Sequence, residues 1–389
     1  MSIHRRRSPA TLLRAGIIGL IAVVGALSLL LGACGGGGGS GAPANTIEAE
    51  GLPDYYPADY RQLVDAAKAE GGELLVYSST DEANWAPVLR DFRAKYPFVK
   101  GVTTLNLDSD EIFQRQLSEQ ATGRAPADIL VSNSVQAWTN FLEQGDFLLP
   151  YESPELAQLP AELASPLPNL YSMSVDPQVL GYNTAMIPDN PQSWQSLAAL
   201  IQDDPGQFDN AVGVRDISSS FAFTVFYNLL RQKPQLWDSF GTILPAARPE
   251  MSSGSLSEKV LAGEYAAAAF VTAGAAVPIV NQSGGLFEIT SPTDGTVLLS
   301  RAAGITATAP HPATSKLFVD FLLSADGQQA VLEGGLSSYR EGTTPVEGSL
   351  SYQDVVEQAG EDAIISVPFT KIGDADVAAF TQRWNSLRG

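Results

Sequence analysis

The chain is poor in the residues that carry covalent and metal chemistry: one cysteine, Cys34, and two histidines in 389 residues. A lone thiol cannot close a disulfide within the chain, so stability has to come from a packed core, which a chain of this length can supply. Beyond His4 the only histidine is His311, which begins a proline-flanked stretch and reads as structural. A serine hydrolase needs a histidine base and a G-x-S-x-G elbow after a strand, and no such elbow is present. A zinc hydrolase is poorer still in ligands. Basic residues are scarce as well, 23 Lys plus Arg against 43 Asp plus Glu. A surface this acidic is repelled by nucleic acid phosphates and by anionic lipid head groups, which argues against both as partners.

The N-terminal segment carries a basic stretch, His4 to Arg7, and an apolar run from Ala15 to Leu31. That is the pattern of a secretory signal. The run ends in Leu31-Gly32-Ala33-Cys34, which resembles a lipobox, so residues 1–33 are expected to be a lipoprotein signal peptide and Cys34 the lipidated residue. An uncleaved membrane anchor is the competing reading, because the run approaches the roughly 20 residues needed to span a bilayer. It gives no reason for the lone cysteine to fall where small residues replace leucines, ahead of a Gly35 to Gly39 tether. Removing the signal takes away four arginines and no acid, leaving 19 basic against 43 acidic residues and a net charge of −24. Residues 34–52 read as the lipidated cysteine and a flexible linker.

From Pro53 onward apolar residues are evenly spread, with no second linker and no internal repeat. This region exceeds the about 250–300 residues at which single cores stop growing, so two lobes are expected. Leu74 to Tyr77, bounded by Gly72 and by Ser78-Ser79-Thr80, reads as a buried strand. Trp85, Val88, Leu89 and Phe92 then recur at i, i+3, i+4 and i+7, one face of a helix packed on that strand. Gly101 to Leu107, Glu111 to Gln120 and Asp128 to Val131 repeat strand, helix and strand, and a helix through Trp138 and Phe141 follows. Strands alternating with helices predict an α/β fold with polar loops at the strands' C-terminal ends, where open α/β sheets bind ligands.

Several segments occur in an order that resembles a known family. They are Gly72 to Thr80, Phe92 to Pro97 (F-x-x-x-Y-P), Ala127 to Val131, Gly181-Tyr182-Asn183-Thr184, Pro191 to Leu197, Gly263-Glu264-Tyr265, and Ala309 to Pro312 running into Lys316 to Ser324. Together they resemble the ferric-iron and phosphonate type of extracellular solute-binding protein that serves ABC importers. The resemblance implies a two-lobed, type II periplasmic-binding-protein fold: two mixed sheets flanked by helices and joined by crossing hinge strands near Val175 to Tyr182 and Val297 to Ile305. The implied organisation is lobe 1 over residues 53–178, lobe 2 over 179–296, a return to lobe 1 over 297–345, and C-terminal helices over 346–389 packing across the lobes. The implied partners are a small-molecule ligand and an ABC permease, with a membrane attachment only through Cys34. The expected state is a monomer outside the cytoplasm, with no cofactor, no metal and no turnover.

Hydroxyl-rich loops at helix starts are the candidate ligand groups. Tyr77 ends the first strand and Ser78, Ser79 and Thr80 follow it, and Ser132, Asn133 and Ser134 repeat the arrangement one loop on. Arg215, Ser218, Ser219 and Ser220 open the apolar helix Phe221 to Leu230, and Ser253 and Ser255 flank Gly254 before the helix Leu256 to Leu261. Each cluster has a plain alternative, since Ser and Thr cap helices whether or not anything binds. Arg215 has two readings, in the cleft or paired with Asp216 on the surface. Four such loops favour an oxyanion, a phosphonate, phosphate ester or similar solute. The ferric branch carries adjacent tyrosines after its G-E segment, and Ala269 to Ala275 has none. Ferric iron or an iron chelate stands as the alternative ligand, and a non-transport enzyme or adhesive lipoprotein as the less favoured function.

Overall fold

The computed structural model describes residues 52–388, so the signal segment, Cys34 and the tether up to Gly51 lie outside the described residues. The described residues begin with helix α1 (Tyr60–Ala69) and then alternate: β1 (Glu73–Ser78), α2 (Glu82–Lys95), β2 (Gly101–Asn106), α3 (Ser109–Ala121), β3 (Ile129–Ser132) and α4 (Val135–Leu142). A short helix α5 (Ala161–Ala164) leads into the long strand β4 (Tyr171–Asn183). The alternation then resumes with α6 (Trp194–Asp203), β5 (Val212–Arg215), α7 (Ser220–Gln232), α8 (Leu236–Ile243), β6 (Ala247–Glu250), α9 (Ser253–Leu261), β7 (Ala267–Thr272), α10 (Ala273–Gln282) and β8 (Phe287–Thr290). The long strand β9 (Thr296–Ile305) returns, followed by α11 (Pro312–Leu323), α12 (Ala325–Glu333), α13 (Tyr352–Ala359), β10 (Ile364–Ser366) and α14 (Asp374–Arg388).

The strands form one hydrogen-bonded path, β2-β1-β3-β9-β4-β7-β5-β6, with β10 on β9 and β8 on β4. The two mixed sheets expected from the sequence are the two wings of this path. They are continuous because β4 and β9 belong to both and change neighbours midway. β4 pairs antiparallel with β9 from Tyr171 to Gln178, and with β7 from Gln178 to Tyr182. β9 pairs with β3 over Ala302 to Ile305 and with β10 over Thr296 to Leu298. Within each wing the outer pairs, β1 with β2 and β5 with β6, are parallel, as strand-helix-strand connections require.

All 13 residues of β4 are buried although Ser172, Ser174, Asp176, Gln178 and Asn183 are polar. Burying such groups is tolerable only if each is hydrogen-bonded. Ser172 Oγ donates to the Leu163 carbonyl, Gln178 Nε2 to the Asp176 carbonyl at 3.1 Å, and Asn183 Nδ2 to the Val260 carbonyl at 2.8 Å. Phe270 in β7 holds φ +61°, unusual outside glycine, opposite a register shift at Val179/Leu180. Its ring lies 4.4 Å from Trp194 and 4.6 Å from Phe226, centroid to centroid, in a buried cluster that Trp384 of α14 completes. The segment before α14 reaches the other wing, where Gln136 of α4 donates to the Thr370 carbonyl at 3.0 Å and Lys371 pairs with Glu143.

Behind the first wing, Asp320 of α11 is fully buried. Its Oδ2 accepts from Tyr60 Oη at 2.5 Å and Tyr151 Oη at 2.6 Å, while Oδ1 has no partner. Burial pushes its pKa up from 3.8 to about 6, the Ser153, Tyr151 and Tyr60 hydroxyls opposing only in part. A carboxyl raised in the folded state favours folding while protonated. That contribution is present below pH 4 and is lost as the pH rises through about 6. Denaturant titrations of the unmodified protein and Asp320→Asn are therefore expected to diverge with pH. The parent should lose about 3 kcal/mol from this group between pH 4 and 7, at about 1.4 kcal/mol per unit, and the variant should not. Equal slopes for the two proteins would refute the assignment.

Candidate functional site

Six helices begin along one cavity of about 750 Å³, and its wall contains the capping residues Asp81 of α2, Asp108 of α3, Ser219 of α7, Ser252 of α9 and Thr272 of α10, with Asn133 ahead of α4. This follows from the alternation, since each strand hands over to a helix at the same edge. The first N–H groups of a helix have no partner within it, and the macrodipole makes that end positive. The convergence therefore presents an anion with several donors at once.

Arg215 ends β5 and lines the cavity. Its Nη1 donates to Ser253 Oγ at 2.8 Å, and its guanidinium lies over the Phe221 ring at 5.0 Å. Asp216 does not pair with it, because Asp216 Oδ1 accepts from the Ser218 N–H at 2.8 Å. Among the described residues no carboxylate neutralises Arg215, and its buried Nε has no hydrogen-bond partner. Burial pushes its pKa down from 12.5 to about 10, so the group is cationic at neutral pH but poorly solvated. Ser79 Oγ on the facing wing is likewise buried without a partner. Two buried polar atoms left open on opposite walls of one cavity are what a captured ligand would satisfy.

Ser253 relays Arg215 to the crossing strand. Its Oγ donates to Thr272 Oγ1 at 3.2 Å, which donates to Gln178 Oε1 at 3.2 Å. Gly213 makes room for this seat, because a Cβ there would meet Leu256 Cδ2 at 2.4 Å. Thr80 Oγ1 accepts from Arg301 Nη1 at 2.8 Å, and Asn133 Nδ2 donates to Asp176 Oδ2 at 2.7 Å.

Of the residues the sequence singles out, Ser79, Thr80, Asn133, Arg215, Ser218, Ser219, Ser220 and Ser253 line the cavity. The other five do not, and each has structural work instead. Tyr77 is buried with its hydroxyl on Glu119 at 2.9 Å. Ser78 Oγ accepts from Trp85 Nε1 at 3.2 Å and from the Thr80 N–H at 3.0 Å. Ser132 Oγ accepts from the Ser134 N–H, and Ser134 Oγ caps α4 through the Ala137 N–H and lies 3.3 Å from Ser220 Oγ. Ser255 Oγ turns to Glu250 Oε2 at 3.1 Å. Even within the wall Ser219 Oγ is committed to capping, accepting from the Ala222 N–H at 3.2 Å.

The sequence reading passes over Arg301 of β9, which reaches the cavity from the middle of a buried strand, and the acidic residues Asp108, Asp110 and Glu111 along one wall. A lone arginine inside an apolar run, Val297 to Ile305, is the signal that could have found the first. Acids at helix starts carry no distinguishing signal, because they offset the dipole anywhere.

The chain matches the model of the bacterial extracellular solute-binding protein family over residues 88–354. No curated protein sequence matches it. Among solved structures it is similar to the substrate binding protein of an ABC transporter from Agrobacterium tumefaciens, with 19% identity, TM-score 0.71, and 82% of this chain and 96% of that one covered. It is also similar to the periplasmic binding protein AfuA from Actinobacillus pleuropneumoniae with fructose-6-phosphate bound (19%, 0.63, 81% and 97%) and to iron-bound HitA from Pseudomonas aeruginosa (18%, 0.60, 81% and 99%). At these identities the likeness is one of fold. The family match spans more than half of the chain, and the protein belongs to the bacterial extracellular solute-binding proteins.

Proposed function

We propose that the chain is the solute-receiving component of an ABC import system, a monomer held outside the cytoplasm by a lipid on Cys34, and that it captures a small anionic solute such as a phosphonate or phosphate ester without turning it over. The wings then act as lobes, residues 53–178 and 297–345 forming one, 179–296 the other, and 346–389 running across both. The observation that carries this reading is Arg215, a cation in the cavity wall with no carboxylate partner and a buried Nε that no protein group satisfies.

Capture proceeds by substitution of solvent. An incoming anion exchanges water for the Arg215 guanidinium and for the open N–H groups at the helix starts, in surroundings where such bonds are stronger than in water. Donors on both wings, Ser79 on one and Arg215 on the other, reward closure, so the liganded population shifts toward the closed form that a permease would engage. The phosphorylated sugar in AfuA is in keeping with an anionic solute. The iron in HitA marks the other ligand class, which requires hard anionic donors; among the described residues no tyrosine lines the cavity, and its carboxylates Asp81, Asp108, Asp110 and Glu111 form no group that could hold a metal ion.

Thermal unfolding against phosphate, sulfate, methylphosphonate, a sugar phosphate, ferric citrate and spermidine tests the proposal. At 100 times its Kd a true ligand adds about 2.7 kcal/mol of stability. An oxyanion is expected to give that shift, and stabilisation by ferric citrate alone would reverse the assignment. Arg215→Met should do two opposite things. It should abolish the anion shift, and it should raise the stability of the unliganded protein by about 1–2 kcal/mol, because a poorly solvated, unpaired charge is removed. The charge penalises folding at every pH below about 10 and is relieved as the pH rises through that value. A variant that is less stable and still responds to anions would contradict the role given to Arg215.

A further inference from the structure

The second guanidinium of the cavity differs from the first in being fully neutralised. Arg301 is 5% exposed and Asp176 1% exposed, and Arg301 Nη2 meets Asp176 Oδ2 at 2.6 Å with Nε 3.4 Å from Oδ1. Arg301 and Asn133 line the cavity, and Asp176 lies against both of them, also taking a hydrogen bond from Ser174 Oγ at 3.3 Å. A charge buried to this degree acts at close range and is little screened. The pair contributes no net charge, which leaves Arg215 as the cavity's uncompensated cation, while Asp81, Asp108, Asp110 and Glu111 line the same space. One negative charge on a ligand finds a partner there. A second finds Asp176 behind Arg301 and carboxylates on the wall, and burying it without a counter-charge is unfavourable.

We infer that the site selects a singly charged anionic head group over a doubly charged one, so that a phosphonate or phosphate ester is taken as its monoanion, and that Asp176 sets this preference by cancelling Arg301. The inference rests on the anion-binding reading of the cavity. It makes Asp176 a specificity-determining residue that acts through its arginine rather than by touching the ligand.

Calorimetric titration of the full chain with methanesulfonate and sulfate, one and two negative charges on similar oxygens, reads the preference directly. Methanesulfonate is expected to bind at least tenfold tighter. Methyl phosphate, whose second proton leaves near pH 6, should weaken as the pH is raised from 5 to 7.5. Sulfate binding as tightly as methanesulfonate would overturn the inference while leaving the anion site standing. Binding of none of the three would remove the anion site and the inference together. Asp176→Asn exposes the Arg301 charge and should bring the ratio to one or below, and an unchanged ratio in the folded variant would overturn the role of Asp176. Where that variant strands Arg301 and fails to fold, Asp176→Asn with Arg301→Gln buries no charge. This double variant should keep the preference at reduced affinity, and a ratio of one or below there would equally overturn the inference.

Discussion

The crossing of β4 and β9 is the constraint from which the rest of the molecule follows. β9 pairs with β3 of the first wing, β4 pairs with β7 and β8 of the second, and the two pair with each other, so the wings join through them. Because β4 is buried along its whole length, its polar side chains must be hydrogen-bonded within the protein, and two of them are bonded by residues that line the cavity. Asp176 takes Asn133 and Arg301, and Gln178 takes Thr272. Sheet and site therefore share one hydrogen-bond network, and a change in the angle between the crossing strands would be felt at the cavity wall.

The wall has a division of labour among similar residues. Most hydroxyls are spent on capping the helices they precede, as small polar residues at helix starts generally are. What is left unspent is little: Ser79 Oγ, Arg215 Nε and the first-turn N–H groups. The protein thus keeps an under-satisfied set of donors in a confined space. That arrangement is unfavourable for an empty fold and favourable for one that holds an anion, the usual exchange between stability and function.

Legibility from sequence divides along the same line. Strands and helices with local periodicity were readable: Glu73–Ser78, Glu82–Lys95 and the two crossing strands lie where the apolar pattern and the family likeness place them. The continuous sheet was not, because a partner switch midway along β4 leaves no mark on a single strand. Of the site, the loops were readable and the side-chain directions were not. Ser78 and Ser79 are adjacent and chemically identical, yet one accepts from Trp85 and the other is buried without a partner, a difference decided by a residue in the following helix. Arg301 and Asp176 are 125 residues apart and become a pair only through the strand register.

The position of a bound anion decides whether Arg215 is the point of capture. A crystal structure of the protein grown with methanesulfonate or methylphosphonate should show an anion oxygen within hydrogen-bonding distance of Arg215 Nε, with Ser79 Oγ drawn onto the same ligand from the opposite wing. An anion bound elsewhere, or Arg215 turned onto a protein carboxylate with the cavity holding only solvent, would contradict that role.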